Sequence, residues 1–367
     1  MSKIRSYRPA RFETVKSFAE RLLLSLLNDL PEGIPEVHIV ADRYDGLFGK
    51  LMDTEESISL KSACRFRRGK GKNLQINALS TIEESDAALA NSASKSGLLE
   101  ILCETWEKMG DQLPNAPNLF LSGGLKERLK VSLVERGCSP TLSEHCDYKE
   151  CLSSRHKEAD QHLITHTKYA RNYACSIVVH ANDTDVAVAC VYCFEEFQAE
   201  GLSKLFLKFP TYIIPVHELA DGVHLSKEEQ IMLPFVHCLS GCDTTNFFFG
   251  VGKASFLNAT ASPTFASKMV SVTERIKDAE GKLSVDAFRE VYDLSKSLVI
   301  EMYGKQAGFN SPASVRAYIW CQKQDVRRLL PSDDTFEPCI RRAIFAKWII
   351  LSSVQARPNI PDPLLHG

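Results

Sequence analysis

Apolar residues recur at two different spacings along this chain, and the switch between them marks its elements. Phe12, Val15, Phe18, Ala19, Leu22, Leu23 and Leu26 fall three and four apart, while Glu13, Lys16, Glu20 and Arg21 fill the other face. Residues 12–27 therefore predict an amphipathic helix. A turn at Pro31, Gly33 and Pro35 leads into 37–41 (VHIVA), a short apolar run that predicts a buried strand ending at Asp42. Helical spacing returns at 98–109 through Leu98, Ile101, Leu102, Thr105 and Met109, and 119–122 followed by Gly123-Gly124 predicts a strand end and turn.

The middle of the chain is the most informative. Residues 158–170 have helical spacing, and 175–181 (CSIVVHA) is a β-branched run that Asn182-Asp183-Thr184-Asp185 closes. Residues 186–194 continue apolar with no break signal. Two short strands are predicted at 205–209 and 212–216 across Pro210, then a helix over 227–239 despite Pro234, ended by Ser240-Gly241-Cys242-Asp243. The stretch 284–356 reads as mostly helical, with Phe288, Val291, Tyr292, Leu294 and Leu298 at helical period. Alternating strands and helices predict an α/β core with a mainly parallel sheet. Ligands of such sheets sit beyond the carboxyl ends of strands, where Asp42 and Asp183 both fall.

Composition changes this picture little. The chain has 367 residues, 44% hydrophobic and 25% charged, with a net charge of −2, the profile of an ordinary globular protein. Any nucleic-acid surface would have to be local. No apolar run approaches the ~20 residues that span a bilayer. No secretory signal is legible, because Glu20 and Arg21 interrupt the apolar residues after the basic start. Twelve cysteines without a disulfide-type spacing fit reduced thiols inside the cell.

The candidate chemistry is acidic. Glu158-Ala-Asp160, Asp183-Thr-Asp185 and Gly241-Cys-Asp243 supply five carboxylates in short motifs. Mg²⁺ and Mn²⁺ take hard oxygen ligands, and two-ion phosphodiester hydrolysis needs several carboxylates converging on ions about 4 Å apart. Alone, each Asp-x-Asp is more simply a solvated turn or a helix N-cap. The order of the three motifs, and the Gly250-Val-Gly252-Lys253-Ala254 that follows the last, is the more specific signal.

That ordered set resembles the flap-endonuclease branch of the PIN-like nucleases. Asp160 and Asp183 are 23 residues apart, and Asp185 and Asp243 are 58 apart, separations similar to the family's. The resemblance implies a three-layer PIN-like (Rossmann-like) core over 1–240, a helix–loop–helix phosphate-binding element over 241–262 and a mostly helical region over 263–367. It implies metal binding by Asp42, Glu158, Asp160, Asp183, Asp185 and Asp243, with two Mg²⁺ or Mn²⁺ ions. Lys61 and Arg65 would contact the scissile phosphate as catalytic residues, and Arg67, Arg68, Lys70, Gly250, Gly252 and Lys253 the nucleic-acid backbone, with K⁺ at the 250–253 turn. The implied activity is structure-specific hydrolysis of branched or flapped DNA, or of RNA, in the nucleus.

The motifs cover residues 37–260. Over its whole length the chain is similar to a group of uncharacterised animal proteins with Glu-Ala-Asp…Asp-Thr-Asp-Val…Gly-Cys-Asp-Thr, which occur in many copies as mobile-element-derived genes do. One departure stands out. The family's first Asp, on a strand before the helix at 12–27, has no counterpart, since no Asp precedes Asp29. Either the chain is truncated at its start or that ligand is lost, leaving a weakened or inactive enzyme. The alternative function is a degenerate nucleic-acid-binding or protein-interaction module on the same fold.

Other candidates have plainer readings. Cys190-Val-Tyr-Cys193, with His237, Cys238 and Cys242, offers zinc ligands in principle, but small buried thiols suit that apolar stretch better. His162 and His166 share a helix face without a metalloprotease Glu, as a packed or surface pair would. The six cations of Lys61–Lys72 are a solvated face, a localisation signal or a phosphate patch. Phe247-Phe248-Phe249 reads as core or docking surface before base stacking.

Overall fold

The computed structural model describes residues 13–44, 75–81, 92–110, 113, 117–125, 132–134, 151–154, 156, 158–275, 284–303, 309, 311–323 and 325–358. Their contacts divide the chain into two units, Met1–Tyr173 with Ser353–Pro358, and Ala174–Ser352 with Asn359–Gly367. Both are mixtures of helix and a small sheet containing a parallel strand pair. Among the described residues no helix is long and apolar enough to cross a membrane.

In the first unit, helix α1 (Val15–Asn28) starts where Thr14 accepts the Ser17 N–H at 3.2 Å, an N-cap that satisfies one of the helix's open donors. Its buried face, Val15, Phe18, Ala19, Leu22 and Leu23, is the one the spacing predicts. It packs on α2 (Ser92–Lys108) through Leu98, Leu99, Leu102 and Trp106, and the Trp106 indole N–H donates to the Ala19 carbonyl at 2.8 Å. Strands β1 (Glu36–Ala41) and β2 (Asn118–Gly123) run parallel, Glu36 opposite Asn118 and Ala41 opposite Gly123, and β3 (Ser132–Val134) adds antiparallel to β2.

Side chains alternate across these strands. Val37, Ile39, Ala41, Leu119 and Leu121 join the apolar cluster of α1 and α2. The other face carries His38 and Phe120, stacked with ring centroids 4.3 Å apart, and meets Tyr169 and His166 of α3 (Ala159–Ala170). That face is polar inside. Ser122 Oγ lies 2.8 Å from His166 Nε2, His166 Nδ1 lies 2.7 Å from His38 Nδ1, and His38 Nε2 lies 3.6 Å from Glu36. One set of neutral tautomers orders this chain: the serine hydroxyl donates to His166 and His166 donates to His38, whose remaining N–H is left buried without a hydrogen bond, 3.6 Å from Glu36. His162 and His166 are therefore a packed pair, both buried.

The second unit repeats the strand–helix–strand arrangement. Strand β4 (Ser176–His180) leads into α4 (Thr184–Ala199), which returns to β5 (Lys204–Lys208), parallel to β4. Strand β6 (Ile213–Pro215) pairs antiparallel with β5 and runs into the short helix α5 (Val216–Leu219). Asp183 decides that residues 184–199 are helical: its side chain accepts the Asp185 N–H at 3.2 Å and caps the helix. The apolar run after it forms most of one helix, with Val186, Val188, Ala189, Cys190, Val191, Cys193 and Phe194 buried.

Helix α6 (Lys227–Leu239) opens on a capping box in which Ser226 and Glu229 bond each other's backbone N–H groups. Pro234 sits inside it, buried. Helices α7 (Lys253–Thr260), α8 (Pro263–Arg275), α9 (Val285–Tyr303), α10 (Pro312–Lys323) and α11 (Asp333–Ser352) complete the unit, with α11 packed on α6.

Candidate active site

The six sequence-predicted carboxylates fall three in each unit, and Asp42 in one and Asp183 and Asp185 in the other stand just past the carboxyl end of a parallel strand. In the first unit, Asp42 follows β1 directly and reaches the start of α3, 117 residues further on. Its Oδ1 accepts the Ala159 N–H at 2.8 Å, and its Oδ2 accepts from the Tyr44 hydroxyl at 3.1 Å. Glu158 stands at the N-cap position but makes no capping bond with its side chain, so Asp42 takes that role. Glu158 is buried, and Asp160 lies in the first turn, where the helix dipole favours negative charge. The structure thus brings Asp42, Glu158 and Asp160 to one helix start. Arg43, also buried, donates to the Ser154 carbonyl at 3.3 Å.

The Asp42 bond has a measurable consequence. Asp42→Ala should lower stability by about 1–2 kcal/mol, the ordinary cost of losing an N-cap, and lower the melting temperature by about 2–4 °C per kcal/mol. Asp42→Asn keeps the acceptor and should melt within a degree or two of the wild type. Equal melting of Asp42→Ala and wild type in a thermal scan would show that the bond carries no stability.

In the second unit, Asp183 and Asp185 flank the start of α4. Asp183 is committed to the cap. Asp185 is buried and accepts from His237 Nε2 at 2.6 Å. His237 lies in the last turn of α6, and its Nδ1 faces Lys253 Nζ at 2.9 Å. The ammonium donates to Nδ1 and Nε2–H donates to the carboxylate, which fixes the neutral tautomer. Nζ also stands 3.4 Å from Nε2, but the shorter contact is the one with an acceptor lone pair available. Lys253, His237 and Asp185 thereby join the Gly-Val-Gly-Lys turn to the Asp-Thr-Asp motif.

Asp243 is exposed on the turn after α6. Gly241 has φ +105°, and a Cβ there would lie 2.7 Å from Phe247 Cβ, so only glycine fits this turn. Thr245 Oγ1 donates to the Cys238 carbonyl at 2.6 Å and accepts the Cys242 N–H at 2.9 Å, fixing the turn. Hydrogen bonds from Cys238, Thr244 and Thr245 pull the Cys242 thiol down to about 5 against opposing burial, while Cys238 is pushed well up by the bond to Cys242 and by burial. Cys190 and Cys193 are buried free thiols, and burial pushes Cys190 up to about 12.

Gly250 has φ +77°, Gly252 caps α7 without a side-chain bond, and a Cβ on either would meet open space. The backbone at both is thus accessible to a ligand. Lys253 is the first residue of α7, but its ammonium is turned inward onto His237. Lys61, Arg65, Arg67, Arg68 and Lys70 lie outside the described residues.

All six carboxylates offer the hard oxygen donors that Mg²⁺ and Mn²⁺ prefer. Among the described residues, however, no group of three or more His, Cys, Asp or Glu is placed to hold an ion. His237 was legible only as a zinc candidate. Its partnership with Asp185 spans 52 residues of sequence and has no local signature. No protein-family profile, curated protein or solved structure matches the chain.

Proposed function

We propose that this chain is a divalent-metal-dependent nuclease on a three-layer PIN-like core, acting on branched or flapped DNA or on RNA. The observation that carries the reading is the hydrogen-bonded link Lys253–His237–Asp185. A lysine of a glycine turn with open backbone and a carboxylate at a strand's carboxyl end are held in one network, as a group that binds phosphate beside one that binds cations would be. Asp42, Glu158 and Asp160 in the first unit, and Asp183, Asp185 and Asp243 in the second, are the residues that would supply oxygen donors to an ion. A bound divalent ion would supply the charge that activates water and stabilises the leaving oxygen. The protein's own part is to orient the carboxylates: Asp42 and Asp183 through helix-start N–H groups, Asp185 through His237.

The test is cleavage of labelled flap, duplex and single-stranded substrates with Mg²⁺ or Mn²⁺. Asp183→Asn, which keeps the capping acceptor, should lower the rate at least about 100-fold, equivalent to about 3 kcal/mol of barrier. Indistinguishable background cleavage by wild type and variant sinks the enzymatic reading.

A second reading is a non-catalytic nucleic-acid-binding module on the same fold. It is favoured by the lack of any three-ligand group among the described residues and by the engagement of Asp42, Asp183 and Asp185 in structural bonds. It expects binding without cleavage and an unchanged melting temperature in Mn²⁺, whereas ion binding to the native state would raise it.

A further inference from the structure

The three consecutive phenylalanines after Asp243 take three different environments. Phe248 is core: it is buried against Phe256 and Phe336. Phe247 is 75% exposed and Phe249 37% exposed. These two rings line a cleft of about 330 Å³ in the second unit with Tyr303, Arg327, Leu329 and Pro331, near the small end of the ~300–1,000 Å³ of small-ligand pockets. An aromatic ring this exposed gains nothing from water, and two of them lining one cleft offer apolar faces to an occupant.

The cleft's charge narrows the occupant. Arg328 places its guanidinium 5.2 Å from the Phe249 ring centroid, a cation–π contact. Arg327 bonds Asp325 through Nε and Nη2, both at 3.1 Å, and Arg328 Nε stands 3.6 Å from the same carboxylate. Two guanidinium groups share one carboxylate, so the rim keeps a positive charge, and the Arg327 side chain is 81% exposed. The floor is fixed, since the Tyr303 hydroxyl donates to the Phe249 carbonyl at 2.8 Å. Aromatic faces for a flat ring, with a cationic rim for a backbone anion, are the two parts of a single-stranded nucleic-acid site. An apolar peptide would use the faces but not the charge.

We infer that the Phe247–Phe249 cleft binds an unpaired nucleobase of single-stranded nucleic acid, the base on the phenylalanines and its phosphate on Arg327. This rests on the nucleic-acid part of the proposed function and not on hydrolysis.

The test uses the full chain with fluorescein-labelled oligo(dT) and oligo(U) of about 12 nucleotides, within the usual range of strand-site sizes, followed by anisotropy at fixed salt. Phe247→Ala should weaken binding about 10-fold, as loss of one stacking ring does, and Arg327→Ala should weaken it and flatten its salt dependence. Phe247 is exposed, so its replacement leaves the fold intact, which a thermal scan checks. In Phe247→Trp, the oligonucleotide should quench the new indole by stacking. Failure of the wild type to bind, unchanged affinity in Phe247→Ala, or binding of a proline-rich peptide in place of the oligonucleotides overturns the inference. The outcomes separate from those of the nuclease reading. A chain that cleaves normally as Phe247→Ala and binds equally well loses only the cleft, while one that binds through Phe247 but never cleaves loses only the hydrolysis.

Discussion

Gly124→Ala, and Gly123→Ala beside it, are expected to cost the first unit at least about 3 kcal/mol, a large part of the roughly 5–15 kcal/mol that holds an ordinary domain folded. The reason is the closeness of β1 to the end of β2. A Cβ on Gly124 would stand 2.0 Å from the Asp42 carbonyl oxygen and 2.9 Å from Leu99 Cδ1. A Cβ on Gly123 would stand 2.0 Å from the Ala41 carbonyl oxygen, at a φ of +69° that side chains disfavour. The obstruction is backbone rather than the end of a flexible side chain, so relief requires the strands to part. Parting them breaks the Gly124 N–H bond to the Ala41 carbonyl, now 2.9 Å, and moves Asp42 from the start of α3. The midpoint in urea should fall accordingly, and the melting temperature by roughly 6–12 °C. Gly97→Ala is the control: it lies inside α2 with open space where its Cβ would go, and should be neutral or stabilise by up to about 1 kcal/mol. A Gly124→Ala variant within 1 kcal/mol of the wild type would show that the close approach is not required.

The second large effect is acid sensitivity of the same unit. Burial pushes His162 down to about 3, only partly countered by its bond to the His156 carbonyl. Burial, then the neighbouring His38 and His162, push His166 well below its ordinary value. In the unfolded chain both would titrate near 6.5. The folded value is the lower one, so below pH ~6.5 the unfolded state binds more protons than the folded state. Stability is fully present above that pH and falls as pH drops, for His162 by about 1.4 kcal/mol per pH unit towards about 3, with His166 acting in the same direction. Between pH 6.5 and 5 the His162 contribution should cost about 2 kcal/mol. Hydrogen exchange of the α3 amides, corrected for the intrinsic rate, should show opening free energies falling along this slope. His166→Gln should make the slope shallower, even if it lowers stability at neutral pH. A flat profile from pH 7 to 5 would mean that the two rings are protonated without opening α3.

Much of the fold is legible from spacing alone, because burial of one face imposes the helical or strand period on whichever residues do the burying. Val15, Phe18, Leu22 and Leu23 announce α1, and the helical pattern of 227–239 announces α6 in spite of Pro234. The run 186–194 carries no break signal and no period of its own. Both a buried strand and a buried helix are apolar on most sides, and here the Asp183 cap settles the matter in favour of α4. The division after Tyr173 has no composition change to mark it.

For the site the limit is of a different kind. The sequence by itself determined which residues carry carboxylates and that Asp42 and Asp183 follow strands, since a strand end is a local event. It also marked Gly250, Gly252 and Lys253 as a turn. Only the tertiary structure decided what those groups touch. Asp42 bonds Ala159 across 117 residues and Asp185 bonds His237 across 52, while Phe247 and Phe249 meet Arg327 and Arg328 from far down the chain. Such partners are chosen by packing, which leaves no period in the sequence, and a buried carboxylate or an exposed ring acquires its role only from the neighbour that packing supplies.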